Sequence, residues 1–198
     1  MPEIFRADPA DIEIPRRVLA ARLGFRGVGD IPEEFKPFFD RAYGIALKVA
    51  TPLALYGNFK PRDLEDGVVV EGKEIRGRLA SQHLKGRKTV TLILATLGSR
   101  FDEEISRLHS EGEELLSFFL DGIGSEMVEY FARMLDSKLR EEMGEGSARI
   151  SPGYVDLPLS LNAWIIEKLS AKDWGITYDP ETFIMHPRKT ISALIGWS

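Results

Sequence analysis

The sequence contains no cysteine. That absence excludes disulfides, thiolate-bound zinc, iron–sulfur clusters and a cysteine nucleophile. Histidine is scarce: His83, His109 and His186 stand far apart, and neither usual zinc-hydrolase spacing occurs. There is no G-x-S-x-G turn, no Walker loop, and no G-x-G-x-x-G following a strand. No metal ligand and no catalytic acid, base or nucleophile is therefore assigned. Long apolar runs are missing too. The longest, around Val90–Leu97, falls far short of the roughly 20 residues that span a bilayer. The N-terminal MPEIFRADPADIEIPRR lacks the apolar core of a signal peptide. The expectation is a soluble, cytoplasmic protein with no membrane association. Positive charge is in deficit, 26 Lys and Arg against 31 Asp and Glu, which disfavours generic nucleic-acid binding. A single Gln (Gln82) and two Asn, beside many Glu, Lys and Arg, resemble the bias of proteins from thermophiles.

What is present suits one domain. At 198 residues, 43% hydrophobic and 29% charged, the chain can bury a full core. Residues 1–50 read as a helical N-terminal part. Pro15–Leu23 is a short helix closed by Gly24, and residues 33–50 carry an apolar stripe through Phe35, Phe38, Phe39, Ala42, Ile45, Ala46 and Val49. Residues 51–198 alternate strands and helices. Strands are predicted at Leu53–Phe59, around Gly67–Gly72 and at Thr89–Gly98, the last apolar enough to be central and buried on both faces. Helices are predicted at Ile75–Leu84, Phe101–His109 and Gly112–Glu142. The longest buries Leu116, Leu120, Ile123, Met127, Phe131 and Met134. A Pro- and Gly-punctuated loop, a short helix at Leu159–Leu169, two short strands around turns and a final strand TISALIGW complete the chain. The fold class is α+β, a mostly antiparallel twisted sheet flanked by helices.

Two Gly-rich tetrads, Gly27–Asp30 and Asp121–Gly124, sit at no strand-to-helix turn; they read as linker and as a close helix-packing patch. The segment Arg149-Ile150-Ser151-Pro152-Gly153-Tyr154 has more chemistry. Arg149 can pair bidentately with a carboxylate, the Pro-Gly turn exposes backbone groups, and Tyr154 offers a ring and a hydroxyl. An amino-acid carboxylate, a sulfonium or a flat heterocycle would suit the set. The same spacing also fits a surface turn with one salt bridge.

This R-x-x-P-G-Y loop, with Thr182-Phe183-Ile184-Met185-His186-Pro187 and Thr190-Ile191-Ser192-Ala193 downstream and Glu129-Tyr130-Phe131-Ala132 upstream, resembles the C-terminal activation domain of cobalamin-dependent methionine synthase. The likeness runs over about Gly122–Trp197. It implies S-adenosylmethionine binding and a role in restoring methylcobalamin from inactive Co(II), with the electron supplied by a flavoprotein or another reductant. By position, Arg149 would contact the methionine carboxylate, Ser151 would use its backbone, Tyr154 would lie beside the ligand, and Gly153 is counted with them among the ligand-binding residues. Glu129 would face the ligand's amino group or ribose; a solvated glutamate is the alternative, since it lies off the core stripe. His186 stands where the family has Trp and reads as a sheet residue, while Trp164, Trp174 and Trp197 read as core or partner surface.

The departures are Val155-Asp156-Leu157-Pro158-Leu159-Ser160 in place of the family's P-x-C-P-D-H, and a chain that ends at Ser198. The family's N-terminal D-W-x-P-F-F has an echo in Glu34-Phe35-Lys36-Pro37-Phe38-Phe39, inside an amphipathic helix pattern. No D-x-H-x-x-G motif occurs, so cobalamin would be held by a partner chain. The resemblance implies a free-standing reactivation subunit for a separate methionine synthase or related corrinoid methyltransferase. The alternative is a non-catalytic corrinoid-protein binding module that keeps the fold and has lost S-adenosylmethionine. A methyltransferase acting on something else is weaker, for want of a Gly-rich βα motif.

Overall fold

The computed structural model describes residues 1–198 apart from Val28 and Asp30. The Gly27–Asp30 tetrad thus lies partly outside the described residues. Four antiparallel strands form the main sheet in the order β1 (Glu3–Arg6), β2 (Leu53–Phe59), β6 (Thr89–Thr96), β9 (Thr190–Trp197). A meander of β3 (Pro61–Leu64), β4 (Gly67–Val70) and β5 (Lys73–Arg76) makes a second small sheet, and β7 (Thr177–Tyr178) pairs with β8 (Met185–His186). The architecture is α+β.

Period-two alternation splits the main sheet between two cores. Ala54, Tyr56, Ile93, Ala95, Ala193 and Ile195 face α1 (Arg16–Arg22), α2 (Lys36–Val49), α4 (Ser99–Ser110) and α5 (Glu114–Met143). Leu53, Leu55, Leu92, Leu94 and Leu194 face α3 (Arg78–His83), α6 (Leu161–Lys168) and the meander. Strand β6, apolar on both faces, is accordingly central. Helix α5 buries Leu116, Leu120, Ile123, Met127 and Phe131 at helical spacing, while Met134 is only half-buried. Its DGIG tetrad is a packing patch. A Cβ on Gly122 would meet Leu23, and one on Gly124 would overlap the Phe101 ring. Trp197 is buried in the first core, where its indole N–H donates to Thr91 Oγ1 at 2.7 Å.

Three elements depart from the sequence expectations. The N-terminal part is not helical throughout, because Glu3–Arg6 pairs with Leu53–Tyr56 at the sheet edge. Pro61–Leu64 is a strand whose middle residues, Arg62 and Asp63, are exposed and polar. The helix expected from Ile75 starts at Arg78, and Lys73–Arg76 is a strand whose Ile75 is buried opposite Val68. Gly77, at φ +114°, makes the break that any Cβ-bearing residue would resist.

Candidate functional site

Strand β9 is an edge strand, and only part of its edge is covered. Ile150 exchanges both backbone hydrogen bonds with Leu194, at 2.8 and 3.0 Å. Two residues on stands Pro152, which has no N–H to continue the pairing. Beyond that point the edge opens into a groove of about 580 Å³. It straddles β9, taking Glu129 from α5 on one side, Leu79 and His83 from α3 and Asn162 from α6 on the other, and Arg149, Ser151 and Tyr154 from the loop. The volume falls within the range of small-molecule sites, roughly 300–1,000 Å³.

Arg149 and Glu129 meet in this groove. Arg149 Nη2 donates to Glu129 Oε1 at 2.6 Å, and the side chains are 15% and 38% exposed. Glu129 is two residues from both Met127 and Phe131, about 200° round the helix, so it points away from the core that they fill. It reaches the groove because the loop packs against that outer face. The second guanidinium nitrogen, Arg149 Nη1, is buried with no hydrogen-bond partner among the described residues. A buried N–H without an acceptor costs on the order of 1–3 kcal/mol.

The loop after Arg149 is a closed turn. Gly153, at φ +84°, donates its N–H to Leu157 O at 2.8 Å. The Ser151 carbonyl accepts from Tyr154 N–H at 3.3 Å, and Leu157 N–H donates to Tyr154 O at 3.0 Å. Gly153 shapes the turn without lining the groove, whereas Ser151 lines it. Tyr154 stands on the rim, 69% exposed. Asp156 ties the loop to the start of α3, accepting from Arg78 N–H at 2.5 Å and Leu79 N–H at 3.3 Å. The Arg78 N–H bond, more than any other cause, holds the Asp156 carboxyl below the usual aspartate range. Val155 sits at φ +54°, where a β-branched side chain is strained and where proline could not go.

No protein-family model and no curated protein matches the sequence. Among solved structures, a crystal structure of the MetH reactivation domain bound to AdoHcy superposes with a TM-score of 0.77, at 15% identity, covering 100% of this chain and 78% of that one. The fold is that of a MetH reactivation domain.

In this reactivation-domain fold, four of the five residues singled out from sequence (Glu129, Arg149, Ser151 and Tyr154) converge on one groove; the fifth, Gly153, does not line it. His83, Asn162, Thr190 and Ser192 also line it and were not singled out as site residues. Their convergence depends on tertiary packing of α3 and α6 against β9, which no local motif announces. Asn162, 3% exposed and polar in an otherwise apolar helix face, is the one signal that could have found α6. Glu34 is not among the groove residues, and neighbouring Phe35 packs against Phe25 and Phe119. His186 is exposed in β8, and Trp164 packs half-buried on the second core. Trp174 is 38% exposed beneath the Arg6 guanidinium. Among the described residues no group of three His, Asp or Glu side chains is placed to hold a metal ion. Among the described residues no helix is long and apolar enough to cross a membrane.

Proposed function

We propose that the chain is a reactivation subunit that binds S-adenosylmethionine and serves a corrinoid methyltransferase, a methionine synthase or a relative, carried on another polypeptide. The observation that supports this reading most is Arg149, which lines a groove of suitable size and whose buried Nη1 has no hydrogen-bond partner among the described residues. A ligand carboxylate would supply the missing acceptor, and the charge-assisted pair would be stronger than the neutral bonds around it. Glu129 would orient the guanidinium and balance its charge. Ser151 and Tyr154 would bound the ligand on the loop side, and Ile191 and Met185 would contribute apolar wall.

The chemistry that S-adenosylmethionine supplies is an electrophilic methyl on sulfur, transferable to cobalt once the partner's Co(II) has taken one electron from a flavoprotein or other reductant. This chain's residues do no acid–base work in that step. They bind the amino-acid end, fix the orientation of the sulfonium and exclude water, so their contribution is proximity.

Titration calorimetry of the chain with S-adenosylmethionine and with S-adenosylhomocysteine tests the reading. Millimolar or tighter binding by the parent, lost on Arg149→Ala, is expected. Failure of either ligand to bind at millimolar concentration would turn the reading toward a docking module that has the fold without the ligand.

A further inference from the structure

Asn162 and Ser192 lie on the groove wall, 3% and 4% exposed, on different elements. Asn162 Nδ2 donates to the Phe183 carbonyl at 3.1 Å, and Ser192 Oγ lies 2.6 Å from Asn162 Oδ1. The first contact settles the direction of the second. A carbonyl can only accept, so the amide nitrogen must face Phe183, since a flipped amide would set oxygen against oxygen. Oδ1 then faces Ser192, and amide oxygen also only accepts. The Ser192 hydroxyl proton is therefore committed to Asn162. What remains on Ser192 Oγ is a pair of accepting lone pairs.

We propose that Ser192 is a specificity-determining residue of the groove, one that takes a hydrogen-bond donor from the ligand and rejects an acceptor. Asn162 is a positioning residue that sets this polarity through its bond to Phe183. The inference rests on the reading of the groove as a site for an adenosyl thioether or sulfonium. It adds that two polar side chains of the site have opposite hydrogen-bonding character. Arg149 Nη1 donates, and so selects an anionic acceptor, while Ser192 accepts, and so selects an N–H or O–H. A site whose polar groups are fixed in this way discriminates sharply, because a ligand with the wrong polarity leaves both partners unpaired in a buried place.

S-adenosylhomocysteine carries three kinds of donor: the α-ammonium, the ribose hydroxyls and the adenine 6-amino group. The experiment is calorimetric titration with the parent ligand and with three analogues, each lacking one kind, against the parent protein and Ser192→Ala. Expected is that one analogue loses about tenfold or more in affinity for the parent protein and roughly threefold or less for Ser192→Ala. The other two should show the same ratio in both proteins. Should Ser192→Ala melt early because Asn162 Oδ1 is orphaned, the double variant Asn162→Leu with Ser192→Ala carries the same comparison. Equal ratios for all three analogues in the two proteins would overturn the inference and leave the reading of the groove standing. If the parent protein does not bind S-adenosylhomocysteine at all, the reading of the groove falls and this inference falls with it.

Discussion

A single nitrogen atom separates a structural arginine from a binding one. Arg149 is 15% exposed; one of its terminal nitrogens is held by Glu129 and the other has no hydrogen-bond partner among the described residues. Were the pair merely a clasp between loop and helix, bidentate geometry would serve it better. On the proposed function, Arg149→Ala loses on the order of 2–5 kcal/mol of ligand affinity, roughly thirtyfold or more, and Arg149→Lys recovers little because a point charge cannot replace the planar fork. Position in a loop would suggest no cost to the fold. The burial and the ion pair argue instead for a loss of about 1 kcal/mol, readable in urea melts beside the titrations. Val155 offers a different test. A non-glycine residue in the left-handed region costs roughly 1–2 kcal/mol, partly offset when glycine widens the unfolded ensemble. Val155→Gly should therefore stabilise by about 0.5–1 kcal/mol. Val155→Pro should destabilise the loop because φ +54° is closed to proline. A urea midpoint that rises with proline would mean the loop is not built as described.

At the scale of elements, the groove mouth is made by two loops, each fastened by an aspartate. Asp156 caps α3. Asp179 accepts from Thr182 N–H at 2.7 Å, Thr182 Oγ1 at 2.9 Å and Glu181 N–H at 3.0 Å, folding the segment that presents Phe183 and Met185. Both carboxyls are held below the ordinary aspartate range, Asp156 chiefly by Arg78 N–H and Asp179 chiefly by Thr182 N–H. A depressed folded-state pKa contributes stability above the unfolded value, near pH 4, that is lost as pH falls through the folded value. The loops should hold from neutrality down to about pH 4 and loosen below it. Asp156→Asn and Asp179→Asn should flatten that acid limb in melting temperature between pH 7 and 2; an unchanged limb would place the sensitivity elsewhere. The sequence announced such elements unevenly. Strand β2 was legible to the residue, and β6 by its apolarity on both faces. The outer strands β1 and β3 were not, since half-exposed polar edge strands carry no hydrophobic alternation. Of the site, the loop and Glu129 were legible through a motif. Asn162 and Ser192, 30 residues apart, meet only when α6 lies across β9, and that packing has no local signature.

For the molecule as a whole, the two-core build fixes where the partner required by the proposed function would come. The groove opens at the partly covered edge formed by β9, and its mouth carries the exposed apolar side chains Tyr154, Val155 and Leu159, with Ile184 in the segment that presents Met185. If a methyl group is to pass from this groove to cobalt, the corrinoid protein must dock over that mouth and not on the helical face. The proposal further requires that docking be transient, because a cap over cobalt blocks ordinary turnover. Only a difference in affinity between two cobalt states can shift such an equilibrium. Association should therefore be weak, in the micromolar range of about −8 kcal/mol, and tighter for Co(II) than for the methyl form. Ile184→Asp should weaken it, since a carboxylate buried in an apolar contact loses solvation without gaining a partner. It should leave S-adenosylhomocysteine binding unchanged, because Ile184 does not line the groove. Phe118→Asp serves as the comparison, a side chain 57% exposed on α5 that is also absent from the groove. Titration of the corrinoid protein in both cobalt states against the three chains decides the matter. Equal affinities for the two states would overturn the state-dependent docking, and equal losses for Ile184→Asp and Phe118→Asp would remove the groove mouth as the docking face.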